Sequence, residues 1–246
     1  ALLGYGKMGK EVERVAKLKG HEICAVIDPT EHQATHRVIS DQCLASAEVV
    51  VDFTNPNAVI DNIRKVASFR KNMVVGTTGW YDSMTEAKQI VGSSGIGFLY
   101  SSNFSIGVNV FFRVVEAAAV LIDKVPEYDV FGYELHHNQK LDSPSGTAKT
   151  IVDILLKNIG RKKQPQFEKL DRKINPDELH FASVRAGWIP GTHVVGFDSE
   201  ADTVELRHTA RSRAGFALGA VMAAEWVRGR KGFYTMNDFV KDFFKP

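Results

Sequence analysis

The sequence predicts an α/β fold: a Rossmann-type, doubly wound parallel sheet joined to a second α+β domain with a mixed or antiparallel sheet. Three observations carry this expectation. Gly4-Tyr5-Gly6-Lys7-Met8-Gly9 is a G-x-G-x-x-G motif set between an apolar start and a helical pattern. Up to residue 104, short apolar runs of strand type alternate with stretches of helical periodicity. Beyond residue 105, after one strongly apolar helix, strand-like segments follow one another without long helices between them.

The elements follow in order. Val12, Val15, Ala16 and Leu18 give the first helix its apolar positions, and the three glycines before it have separate tasks. One permits a tight turn, one lets the backbone approach a pyrophosphate, and one allows close helix–strand packing. A second strand over 23–27 ends at Asp28, which stands 19 residues past Gly9, where an acid that binds ribose hydroxyls belongs. Such a carboxylate repels a 2′-phosphate, and Pro29 follows it in place of a cation, so NADH is expected to bind at least as well as NADPH. Lys7, His32, His36 and Arg37 soften that preference. Residues 30–46 predict a loop with at most a short helix. After it come a strand at 48–53, a helix at 57–69, a strand at 73–75, a helix at 82–91 and a strand at 97–100. Ligands of such sheets gather at the carboxyl ends of the strands. Two further loops lie at those ends and suit the nicotinamide side of a cofactor. They are Gly76-Thr77-Thr78-Gly79, and Ser101-Ser102-Asn103-Phe104 with its polar groups and one ring.

In the second part, 107–122 predicts an apolar helix, and 128–137, 180–186, 193–198 and 203–208 predict strands. The charged stretch 161–175, with Pro165, predicts a surface connection. A helix over 212–228 and the tail through Phe243 and Phe244 are expected to pack back on the first domain. The expected division is therefore a dinucleotide-binding domain of 1–104 with 213–246, and a substrate-binding domain of 105–212.

The densest chemistry lies in Glu134-Leu135-His136-His137-Asn138-Gln139-Lys140-Leu141-Asp142-Ser143-Pro144-Ser145-Gly146-Thr147-Ala148. Ala148, Ile151, Val152, Leu155 and Ile159 recur at helical spacing, and Ser145 or Thr147 can cap the helix start. The positive end of that helix, two histidines and Lys140 suit a small anionic substrate. Adjacent strand residues point to opposite faces, so His136 and His137 serve one pocket only if the strand ends or bends there.

Composition excludes several classes. A net charge of +2 implies neither nucleic-acid nor membrane-surface binding, and no apolar stretch approaches the ~20 residues needed to span a bilayer. Cys24 and Cys43 lack metal-ligand spacing, so neither a metal site nor a disulfide framework is expected, and a cytoplasmic location is. The opening runs straight into the glycine motif, so no secretory leader is expected, while a first residue other than Met suggests a few preceding residues. An acylating dehydrogenase of similar design wants a nucleophilic Cys in its second domain, and both cysteines lie in the first. A dinucleotide-sensing regulator has no need of His136, Lys140 and a helix-start anion site in one segment.

The segment from Glu134 to Ala148 resembles the E-x-H-H-x-x-K-x-D-x-P-S-G-T-A signature of the dihydrodipicolinate reductase family. Weaker similarities run nearly end to end, through Gly4 to Gly9, Gly76 to Gly79, Ser102 to Ser105, Arg185-Ala186-Gly187 with Gly191 and His193, and Ser212-Arg213 with Phe216-Ala217. Asp28 departs from relatives that carry Glu followed by Arg, which bears on cofactor preference. The resemblance implies hydride transfer from NADH or NADPH to a cyclic dicarboxylate with an unsaturated ring imine, followed by protonation of the neighbouring carbon. It implies that His136 is the general acid and that His137 binds substrate. Lys140 then shares in proton donation and charge neutralisation, and Gly146 with Thr147 holds a carboxylate. It also implies a homotetramer built through the second-domain sheet.

Overall fold

The computed structural model describes residues 1–245. The chain opens with β1 (Leu2–Leu3), α1 (Lys7–Leu18), β2 (Val26–Ile27), α2 (Asp41–Leu44), β3 (Val49–Asp52) and α3 (Val59–Ser68). It continues through β4 (Asn72–Val75), α4 (Met84–Ser94), β5 (Gly97–Tyr100), α5 (Ile106–Ile122), β6 (Asp129–His136), α6 (Gly146–Asn158) and β7 (Gln164–Gln166). Then follow β8 (Glu178–Arg185), β9 (Thr192–Asp198), β10 (Thr203–Thr209), α7 (Ala214–Val227), β11 (Gly232–Thr235) and α8 (Met236–Phe243). Two units result, one of Ala1–Ile106 with the chain from Arg213 onward, the other of Gly107–Ser212.

The first unit carries a parallel six-stranded sheet in the order β11-β5-β4-β3-β1-β2. Strand alternation divides its side chains between two layers. Leu2, Val51, Val74 and Leu99 share one core with α1, α7 and α8; Leu3, Val50, Met73, Val75 and Phe98 share the other with α3 and α4. The order reverses between β1 and β3, which makes the crevice at their carboxyl ends the natural ligand site of this sheet. The strand expected over 23–27 is shorter in the ladder, which holds only Val26 and Ile27. Beyond it His36 pairs back onto Ile27, tying down part of the 30–46 loop.

The second unit has a mixed sheet, β10-β9-β6-β8-β7. β9 runs antiparallel to β6 and β10, while β8 runs parallel to β6 and β7. Helices α5 and α6 contribute to the core over one face, where Phe111, Val115, Ile151 and Leu155 meet Val130, Phe181, Val195 and Phe197. The stretch expected to be a surface connection contains β7 instead. Pro165 cannot donate to a ladder, and β7 is accordingly an edge strand. Lys162, 2% exposed, anchors this segment through Asp129 at 2.6 Å and the carbonyls of Pro176 and Glu178 at 2.9 and 2.8 Å.

Candidate active site

In the first unit the loops after β1, β2, β4 and β5 carry the residues singled out for a cofactor. A Cβ on Gly4, whose φ is +83°, would stand 2.3 Å from the Phe53 carbonyl oxygen, and one on Gly9 would stand 2.1 Å from the carbonyl of Gly4. These two glycines let three backbones meet. Gly6 has no heavy atom within 4 Å of the same position and is exposed. It forms the N-cap of α1 without any side-chain cap, so the positive end of that helix is open to an anion. Tyr5 is buried, Lys7 exposed and Met8 half-buried, so the motif's backbone and Lys7 form the accessible surface. Asp28 accepts the Tyr5 backbone N–H at 2.8 Å and those of Thr30 and Glu31 at 2.9 Å. Burial pushes its carboxyl up, but the N–H donors prevail and hold it at about 2, a fixed anion at the end of β2.

The other two loops are braced from beneath. Asp52, fully buried, accepts from the Thr77 hydroxyl at 2.7 Å, the Thr54 hydroxyl at 2.8 Å and the Asn62 amide at 2.8 Å. The Thr77 hydroxyl is thus engaged within the protein, and Thr78 with Gly79 forms the exposed part of that turn. Gly76 makes room for the Phe53 ring. The Ser101 hydroxyl is likewise turned inward, donating to the Asn103 carbonyl at 2.9 Å, and Ser102 is exposed. Phe104 was expected to offer a ring to a ligand; it is 2% exposed and packs edge-on against Phe53 in the core.

In the second unit the site is assembled around Glu134. Along β6, Val130, Gly132, Glu134 and His136 share the buried face. The strand ends at His136, whose carbonyl accepts the Ala186 N–H at 2.8 Å, and a turn from His137 to Lys140 follows. His137 lies past the strand and is freed from its alternation. One Glu134 oxygen accepts the Ser145 N–H at 3.0 Å, the Ser183 hydroxyl at 3.0 Å and the Arg185 guanidinium at 2.7 Å. The other accepts the Ser145 hydroxyl and lies 3.3 Å from His193 Nε2 and 3.6 Å from His136 Nδ1. Ser145 also caps α6 by accepting the Ala148 N–H at 3.1 Å, a bond of the kind worth about 1 kcal/mol. Arg185 reaches the Asp142 carbonyl at 2.7 Å, and Lys140 pairs with the Asp142 carboxylate at 2.6 Å. Gly146, exposed, and Thr147, half-buried, form the first turn of α6.

His136, Lys140, Gly146 and Thr147 thus belong to one neighbourhood. Sequence reasoning gave no role to Glu134, Arg185 or His193, which organise it. The available signal was a carboxylate at an inward position of a strand, which demands partners.

Burial pushes the Glu134 carboxyl up, but donors from His193, Ser145 and Arg185 outweigh it and hold the group well below the usual carboxylate range. Burial lowers His136 to about 4, only partly opposed by Glu134, and His193, Lys140 and Arg185 add to the lowering. His136 is therefore neutral at pH 7. Its Nδ1 is buried without a hydrogen-bond partner. Glu134, His136 and His193 bring three ligand-type atoms within 4.8 Å of one another. The guanidinium of Arg185 already compensates the carboxylate, so this donor set does not favour a metal cation.

The depressed His136 value has a stability consequence. Above pH 6.5 the ring is neutral folded and unfolded; between 6.5 and 4 the unfolded chain binds the proton first, so stability falls as pH falls. Urea unfolding is expected to lose up to about 3 kcal/mol across that window. His136→Gln is expected to flatten much of it, the remaining slope coming from His208, also lowered by burial and then by His193. An unchanged slope in the variant would count against the buried, neutral imidazole.

The N-terminal model of dihydrodipicolinate reductase matches residues 1–104, and the C-terminal model matches residues 107–240. A 4-hydroxy-tetrahydrodipicolinate reductase of Christiangramia forsetii is 39% identical over 245 residues, covering 100% of this chain and 98% of that protein. One of Staphylococcus aureus is 34% identical over 244 residues, covering 96% and 98%. In fold, the dipicolinate-bound dihydrodipicolinate reductase from Paenisporosarcina sp. TG-14 superposes with a TM-score of 0.76 at 22% identity, covering 96% of this chain and 97% of that one. With both halves matched and relatives aligned over almost their whole length, the chain belongs to the dihydrodipicolinate reductase family.

Proposed function

We propose a division of labour for the reaction of this family, in which the first unit holds the dinucleotide and the second holds the ring substrate and delivers the proton. The chain is an oxidoreductase of lysine and diaminopimelate biosynthesis that reduces dihydrodipicolinate. The observation that carries the division is the assembly of His136, the Lys140 loop and the α6 start around one buried carboxylate.

The first unit suits a nicotinamide dinucleotide because Gly6 leaves open space at the uncapped α1 start and Asp28 is a fixed anion with Pro29 beside it. When bound, the reduced nicotinamide supplies a hydride to the unsaturated ring. Gly4 to Gly9 then cradle the pyrophosphate and Asp28 receives the ribose hydroxyls. Thr78 and Ser102 are the exposed hydroxyls of the two remaining loops, while Thr77, Ser101, Asn103 and Phe104 shape them.

A ring dicarboxylate is the ligand of the Paenisporosarcina relative. In this chain Lys140 supplies the neutralising charge, His137 binds the substrate, and the α6 start at Gly146 and Thr147 holds a carboxylate. Charge that grows on the ring as hydride arrives is stabilised by the Lys140 ammonium and the α6 start, more in the transition state than before it. His136 donates the proton. Neutral in the free protein, it gains basicity when anionic carboxylates settle beside it, so substrate binding charges the acid it needs.

The homotetramer is also part of this proposal. No helix contributes to the core cluster from the second-sheet face that carries Phe131, Tyr133, Leu135 and the 46%-exposed Val184, among the described residues. Among those residues no helix is long and apolar enough to cross a membrane, and Cys24 and Cys43 are free thiols, which suits the cytoplasm. The test is dinucleotide oxidation with freshly generated substrate, run in parallel with NADH and NADPH. Turnover with both, and a kcat/KM for NADH equal to or a few-fold above that for NADPH, is expected. A strong NADPH preference overturns the role given to Asp28 and Pro29, and absence of turnover with either overturns the whole reading.

A further inference from the structure

Glu134 is fully buried, yet no step described so far requires it to touch the substrate. Its surroundings are unusual for a purely structural carboxylate. Removing one partner of a buried pair leaves an uncompensated charge, so an ion held here must be matched on all sides. The matching groups come from four places: Ser145 at the head of α6, Ser183 and Arg185 on β8, His193 on β9, and His136 on its own strand. Two of these lead directly to the substrate-gripping parts. Ser145 caps α6, and Arg185 spans from Glu134 to the Asp142 carbonyl in the loop that carries Lys140.

The third lead is His136. Its buried Nδ1 has the Glu134 carboxylate 3.6 Å away and no hydrogen-bond partner among the described residues, so a proton on Nδ1 is the favoured arrangement. The edge at Nε2 is bordered by Gly191, whose φ is +141° and whose absent Cβ would lie 3.1 Å away. The charged and titratable groups around the ring are Glu134 on β6, His193 on β9, Arg185 on β8 and Lys140 in the following loop. Only Glu134 is anionic. Every other neighbour opposes a positive charge on the imidazole, and burial opposes it too.

We propose that Glu134 is the positioning residue of this site: its buried carboxylate keeps His136 able to carry a proton and, through Ser145 and Arg185, fixes the helix start and loop that hold the ring. The catalytic consequence rests on His136 as proton donor; the coupling between Glu134 and His136 does not. The proton leaves His136 Nε2 for ring carbon, the electron pair of the N–H bond stays on the imidazole, and solvent restores the proton after release.

The experiment compares wild type with Glu134→Gln, a near-isosteric change that keeps an acceptor for Ser145 and Ser183 but removes the charge. His136 is titrated by NMR with labelled histidine, each protein saturated with pyridine-2,6-dicarboxylate. The midpoint is expected to fall by about one unit or more, as loss of a single opposite charge at this range predicts. Turnover at pH 7 should then fall about tenfold or more, and the pH profile of kcat should move to the acid side. A substrate KM that rises as well reports the loosened loop, whereas a structural role alone lowers the unfolding midpoint and leaves the His136 titration in place. An unmoved titration in folded Glu134→Gln overturns the proposal. Should that variant not fold, Glu134→Asp carries the test. With the charge drawn back by one methylene the midpoint should still fall, by a smaller amount, and an unmoved value overturns the proposal equally. If the dicarboxylate does not bind, the substrate reading fails, and the same titration of the free proteins still decides the coupling. Should His136→Gln keep full turnover, the proton-donor role fails while the coupling stands.

Discussion

Lys140→Ala is expected to lower kcat by about 10²- to 10³-fold, the range that loss of a proton-handling or charge-stabilising group produces. Dinucleotide binding should hardly change, because Lys140 lies in the second unit and the glycine motif in the first. Unfolding does not account for the loss. Among the described residues the Lys140 side chain makes an ion pair with Asp142, whose side chain is 57% exposed, and such pairs contribute roughly 0–1 kcal/mol. Dinucleotide affinity by fluorescence titration, alongside turnover with the ring substrate, separates the two quantities. Unchanged turnover would remove Lys140 from the mechanism. Asp142 takes one donor of the Lys140 ammonium at 2.6 Å, which leaves two N–H groups for an incoming carboxylate.

The second large effect concerns stability. A Cβ on Gly219 in α7 would stand 1.7 Å from the carbonyl oxygen of Phe104 and 2.9 Å from its carbon. Neither neighbour is the end of a flexible side chain, so Gly219→Ala must push α7 away from the loop that ends at Phe104. The expected cost is about 3 kcal/mol, at the upper end of overpacking penalties, read as a lowered urea midpoint. Because the same loop is assigned to the cofactor, the KM for the dinucleotide should rise in the folded fraction. Gly92 provides the matched control. It lies inside α4 with nothing within 4 Å of a Cβ, so Gly92→Ala should stabilise by about 0.5–1 kcal/mol. If the two variants behave alike, the close approach of α7 to Phe104 is wrong.

What could be read from the residues follows from how local each signal is. Gly4, Gly6 and Gly9 act on a turn only a few residues long, so the tight turn at Gly4 and the close packing at Gly9 are visible in spacing and reappear in the geometry, with open space left at Gly6. The alternation of strands and helices up to β5 is local in the same way, as is the dense segment from Glu134 to Ala148, whose family resemblance the comparisons bear out. The partners of Glu134 are different. Ser183, Arg185 and His193 reach it only because β8 and β9 flank β6 in the sheet, an arrangement that no spacing along the chain encodes. β7 was missed because Pro165 and its charged flanks read as a connection, though an edge strand tolerates both. Phe104 was misread for a related reason. A lone ring in a polar loop looks available to a ligand, and only the Phe53 and Gly219 neighbours reveal that it is core.

The sixth strand of the parallel sheet comes from the far end of the chain. Val51, Val74 and Leu99 share their core with Ala217, Ala220 and Val227 of α7 and Phe239 of α8, more than a hundred residues later. During synthesis, therefore, the opening hundred residues leave the ribosome with one side of their sheet covered by α1 alone. They must wait in that condition while the whole inserted unit is made. An apolar surface exposed for so long invites chaperones or aggregation, and loss of α7 and α8 would leave the nascent protein permanently in that unfinished state.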